Sequence, residues 1–145
     1  PDETIPGYSP SGLTREGKPN GETMSKEDIK EAIDAFVQGA VDAKRLGFDG
    51  VELHGAHGYL IDQFFWSVTN QRTDEYGGDL ASRTRFATDI IKGIRAKCGE
   101  DFPIILRFSQ WKQQEYTARL AETPQELESF LNVFAVFQLT TGNPG

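Results

Sequence analysis

Twice in this chain a stretch with helical apolar spacing closes on a glycine and gives way, within a few residues, to a short apolar strand. The first helix begins at Ser25, with Asp28 three residues on as a weaker form of the capping box. Ile29, Ala32, Ile33, Phe36, Val37 and Ala40 recur on one face. Lys44 and Arg45 suit the dipole of the last turn, and Gly47 is the stop. A strand over Gly50–His54 follows. The second unit starts from a cap at Asp79, buries Phe86, Ile90 and Ile94 with Ala87 and Ile91 beside them, and ends at Gly99. The strand Ile104–Phe108 comes next. Thr123-Pro124-Gln125-Glu126 then opens a third helix, a full capping box with proline in the first helical position. Leu127, Phe130, Leu131 and Phe134 form its apolar face. Regular αβ alternation with such short joints predicts a parallel sheet covered by helices. Two strands do not make a stable sheet alone, so the expected form is a segment of a larger α/β fold.

Residues 1–24 are rich in Pro, Gly, Ser, Thr and charge without periodicity and read as a loop; 25–131 carry the αβ units, and 132–145 an irregular tail. The formal net charge of −7 argues against a nucleic-acid surface. Cys98 is the one cysteine and cannot form an internal disulfide, which points to a reducing, cytoplasmic setting. No apolar run approaches the ~20 residues of a membrane span. The start, Pro1-Asp2-Glu3, has no apolar signal core and no initiator Met, which fits the segment reading.

Chemistry gathers at the strand ends. Both histidines of the protein, His54 and His57, fall at the end of the first strand, followed by Tyr59. Strand side chains alternate, so Val51 and Leu53 share one face while Glu52 and His54 share the other. In the second strand Ile104, Leu106 and Phe108 lie opposite Ile105, Arg107 and Ser109. The apolar faces suit helices. The polar faces bring His54 and Arg107 to the C-terminal ends, where (β/α) barrels and open α/β sheets both place ligands. The chain has no GxGxxG, which weakens the dinucleotide-fold version. Two plainer readings compete. Glu52 is a salt-bridge partner for Arg107, and the His54/His57 pair is a metal site if Glu52 or Asp62 supplies a third ligand.

The stretches HGAHGYLIDQFF and TNQRTDEYGG, with LRFS in the second strand, closely resemble the old yellow enzyme family of FMN-dependent ene-reductases. The resemblance runs from about Thr23 to Leu131 and implies a segment of a (β/α)8 TIM barrel, about its third helix to its fifth. It implies FMN as cofactor, NAD(P)H as reductant and an activated alkene, enone-like, as small-molecule substrate. By the same resemblance His54 and His57 hydrogen-bond the substrate's carbonyl oxygen, Tyr59 is the proton donor, and Arg107 lies beside the flavin N1/O2 edge. Arg72, Asp74 and Tyr76 belong to a loop that holds the mouth in shape.

The departures define the rest of the expectation. The strands that build the family's flavin phosphate site lie outside this segment, as do the first strands, and Asn132–Gly145 do not follow the family's turn into a sixth strand. Residues 1–145 by themselves are therefore expected to be inactive and, with open strand edges, prone to self-association. The alternatives are a metal-binding or interaction module built on the His pair, and a non-catalytic fragment.

Overall fold

The computed structural model describes residues 7–19 and 21–135; the expectations for residues 1–6, 20 and 136–145 lie outside them. The segment read as an N-terminal loop carries four short strands: β1 (Tyr8–Ser9), β2 (Leu13–Arg15), β3 (Lys18–Pro19) and β4 (Glu22–Thr23). β1 pairs in parallel with β4, and β2 antiparallel with β3. Strands of two or three residues are too short to show a period, which is why the sequence hid them.

α1 spans Lys26–Arg45, and its capping box is complete. The Ser25 hydroxyl accepts the Asp28 N–H at 3.1 Å, and the Asp28 carboxylate accepts the Ser25 N–H at 2.7 Å. Gly47, at φ +89°, turns the chain toward β5 (Val51–Gly55). A short helix that the sequence reading lacked, α2 (Leu60–Phe65), follows. Asp79, expected to cap the second long helix, instead accepts the Ser82 N–H at 2.7 Å ahead of a 3-10 turn, Ser82–Thr84, and α3 (Arg85–Cys98) starts after that turn with Thr84 at its own cap position. β6 (Ile104–Phe108) leads to an unforeseen hairpin of β7 (Trp111–Lys112) and β8 (Glu115–Arg119). The last helix, α4 (Pro124–Ala135), carries on past Leu131 into the stretch read as tail. Phe130 and Phe134 meet edge-on at 5.2 Å one turn apart, so the apolar spacing continues there. Leu131, placed on the apolar face from sequence, is instead 44% exposed.

β5 and β6 run parallel with Val51 opposite Ile104, Leu53 opposite Leu106 and His54 opposite Arg107. Their apolar faces join the core against α1, α3 and α4. Phe86 of α3 stacks on Phe64 at 4.2 Å and meets Phe36 of α1 edge-on at 6.1 Å. The two long helices approach closely at Gly93, where a Cβ would come within 2.5 Å of Val37. Phe130 closes the other flank against Phe65 and Phe108, at 5.1 and 5.0 Å. Among the described residues β5 and β6 pair only with each other, so both outer edges of the ladder are open.

The loop between α2 and the 3-10 turn is held by buried side chains reaching backbone carbonyls. The Arg72 guanidinium donates to Pro10 O at 2.8 Å and Met24 O at 2.6 Å, and forks onto Asp74. One side chain thus ties the loop to the β1–β4 ladder. Asn70 bridges the Phe64 and Tyr76 carbonyls, and Arg83 binds Phe65 O and Gly78 O. Gly77 is required, since a Cβ would lie 2.0 Å from Arg72 O. The hydrogen bond from Arg72 holds the Asp74 carboxyl below the usual carboxylate range. A depressed folded-state value gives stability that is complete above the unfolded value, about 4, and is lost as pH falls through the folded one. Asp74→Asn should therefore lower stability at neutral pH and flatten the acid limb of a stability–pH curve below about pH 4, measured by chemical denaturation across that range. An acid limb of parent steepness would show that the clamp contributes nothing.

Candidate active site

The site is built on the C-terminal ends of β5 and β6. β5 stops at Gly55, and the backbone then reverses through His57 at φ +60° and Gly58 at φ +78°. Histidine in the left-handed region is unusual, and such conformations persist where surroundings hold them. Gly55 is small for a reason: a Cβ there would sit 2.9 Å from Arg107 O and about as near to Phe65 and Ile61. That close approach lets α2 fold back onto the strand end. Tyr59, extended at φ −76°, caps α2 from its N-terminal side.

This turn brings the three rings together. The His54 ring lies 5.1 Å from that of His57 and 5.3 Å from that of Tyr59, tilted by 63° and 57°. His54 is half-buried, His57 is exposed, and Tyr59 is 64% exposed. Three side chains able to donate hydrogen bonds thus flank one accessible patch. Arg107 sits beside His54 in register, on the polar face of the sheet. Its guanidinium is turned to Glu52, with Nε 3.0 Å from Oε1 and Nη2 3.2 Å from Oε2. Both partners are largely exposed, and pairs of that kind contribute about 0–1 kcal/mol.

Asp62, a candidate third metal ligand from sequence, is committed elsewhere. Its carboxylate accepts the Gly58 N–H at 2.9 Å and pairs with the ammonium of Lys112. Glu52, the other candidate, is turned to Arg107. No group of three or more His, Cys, Asp or Glu side chains is assembled for a metal among the described residues. Lys112 is completely buried, and its ammonium also lies 5.8 Å from the Trp66 ring. Burial pushes its ammonium below the usual lysine range, an effect Asp62 opposes. Breaking a buried pair from one side typically costs about 3–5 kcal/mol.

The sequence reading missed Lys112, Gln63 and Gln114. The Gln63 amide donates to Gly58 O at 2.7 Å, and the Gln114 amide lies directly over Gly58. Lys112 and Gln114 come from a polar, loop-like run, and no local signal marks Lys112 as buried or Gln114 as half-buried. Only the fold brings the hairpin after β6 against the turn after β5.

Comparison with known proteins gives this geometry a context. The NADH:flavin oxidoreductase / NADH oxidase family model matches residues 3–137. An NADPH dehydrogenase of Clostridium acetobutylicum is 39% identical over 126 residues, covering 86% of this chain and 36% of that protein. A cinnamate reductase of Clostridium sporogenes is 52% identical over 87 residues, covering 59% of this chain and 13% of that protein. The old yellow enzyme homologue of Zymomonas mobilis superposes with a TM-score of 0.78 at 27% identity, over 93% of this chain and 40% of that one. Old yellow enzyme from a Pichia species superposes equally well, at 28% identity. The chain thus spans well under half the length of these relatives, and its αβαβα order is that of a partial (β/α)8 barrel. On the extent of the family match and the shared fold, this chain belongs to the NADH:flavin oxidoreductase / NADH oxidase family.

Proposed function

We propose that this segment carries the substrate side of an old-yellow-enzyme-type ene-reductase site, acting within a complete barrel. The observation that carries the reading is the convergence of His54, His57 and Tyr59 on one accessible patch, beside Arg107. The family uses FMN with NAD(P)H as reductant. The residues present fit that cofactor. Arg107 presents a half-exposed cation at the C-terminal end of the sheet, and among the described residues two nitrogens of its fork are engaged, by an exposed glutamate. A cation there would hold the anionic N1/O2 edge of a flavin. When bound, reduced FMN supplies the hydride that adds to the β-carbon of the activated alkene.

The remaining chemistry belongs to this chain. His54 and His57 donate hydrogen bonds to the substrate's carbonyl oxygen, where negative charge builds as the β-carbon gains hydride. Donors fixed before the reaction lower that barrier most, because they need no reorganisation. The Tyr59 hydroxyl gives its proton to the α-carbon, completing the addition of two hydrogens across the double bond. Its exposure lets water restore the proton.

In a complete barrel containing this segment, Tyr59→Phe should slow alkene reduction by about 10²-fold or more while FMN stays bound, since general acid catalysis is typically worth about 10²–10⁴-fold. Stopped-flow reoxidation by an enone measures this, and a parent-like rate would end the proton-donor role. Replacing His54 and His57 together should weaken phenol binding, because a phenolate mimics the substrate oxyanion. Unchanged phenol affinity would remove their anchoring role.

The chain of residues 1–145 by itself is read as incomplete for this reaction. With both edges of the β5–β6 ladder open and Ile105 59% exposed on its outward face, it should self-associate and fail to retain FMN. Expression of this chain alone, followed by FMN titration and sedimentation, checks this. A monomeric, flavin-bearing protein that reduces an enone would overturn it.

A further inference from the structure

One buried charge pair stands directly behind the site and has no part in the chemistry proposed for it. Lys112, on the β7–β8 hairpin, reaches Asp62 on α2, and both are shielded from water. Asp62 divides its carboxylate: Oδ1 accepts the ammonium and Oδ2 accepts the Gly58 N–H at 2.9 Å. Gly58 follows His57, and both backbones are left-handed. Such a turn relaxes unless it is held. The Gln63 amide holds the Gly58 carbonyl at 2.7 Å, but the hold on the Gly58 N–H is the Asp62 carboxylate. A carboxylate does not stay buried and charged without a counter-charge, so this hold depends on Lys112. The same hairpin lays Gln114 over Gly58 and follows β6, the strand of Arg107. The turn after one strand and the hairpin after the other are therefore locked together through one ion pair.

We propose that Lys112 is a positioning residue for the substrate-binding turn. Its ammonium keeps the Asp62 carboxylate in place, Asp62 holds the Gly58 N–H, and His57 is thereby kept in the left-handed conformation that brings its ring to His54. The inference rests on the reading of His57 as a substrate-anchoring donor. Without Lys112 the buried carboxylate loses its counter-charge and is no longer held in place, which weakens the acceptor for Gly58.

The test uses the complete FMN-loaded barrel containing this segment, with phenol as the probe and flavin absorbance as the binding signal. Lys112→Met should weaken phenol binding by about tenfold, the loss expected for one misplaced hydrogen-bond donor, without loss of FMN. It should also speed amide hydrogen exchange at Gly58. In a His57→Ala background, Lys112→Met should cost no further phenol affinity. If Lys112→Met does not fold, two neutral double variants carry the test. Lys112→Met with Asp62→Asn keeps an acceptor for Gly58, and should bind phenol more tightly than Lys112→Met with Asp62→Leu, which has none. Unchanged exchange at Gly58, a full loss persisting without His57, or equal binding by the two double variants would overturn the proposal. If His57→Ala alone leaves phenol binding at the parent value, the anchoring reading fails instead. Exchange at Gly58 reports the hold on the turn separately from that failure.

Discussion

A β-strand sends neighbouring side chains to opposite faces, and two strands paired in register carry that division across a sheet. The rest of this structure depends on it. Val51, Leu53, Ile104, Leu106 and Phe108 supply one face, and the three long helices cover it. Glu52, His54, Ile105 and Arg107 supply the other, which stays accessible. A slip of one residue in the pairing would put His54 beside an apolar neighbour and separate it from Arg107. The parallel register is therefore a condition of the site as much as of the core.

The strand ends are held by buried charge, with little help from regular structure. Arg72, Arg83 and the Lys112–Asp62 pair each draw a loop inward by satisfying backbone groups or one another. A buried charge without partners is costly, so each arrangement tolerates few alternatives. That makes the loops around the mouth more uniquely placed than their Gly-rich sequence suggests. The exposed Arg107–Glu52 pair is the contrast: water screens it, and its arginine is free to turn to an anionic ligand.

Much of this was legible in the chain. The helix and strand order, the faces of both strands and the ring cluster after β5 followed from apolar spacing and from caps such as Ser25 and Thr123. The misses share one cause. α2, the β7–β8 hairpin and the N-terminal ladders are too short for a period to register, and their polar side chains find partners far along the chain. Leu131 fits an apolar stripe on paper, yet it stays partly exposed in a cleft that it lines with Ile104, Leu106 and Phe108 of β6.

By itself the sequence determined what is local: which segments are helical or extended, which way strand side chains point, and that His54, His57 and Tyr59 share one turn. Tertiary structure alone decided that Lys112 meets Asp62 across 50 residues, whereas the Arg107–Glu52 pair, 55 residues apart, was already legible from the matching strand faces. The physical reason is that helix caps and side-chain periods act within one or two turns of chain. Whether a charge is buried, and against what, depends on how the loops after β5 and β6 fold onto each other.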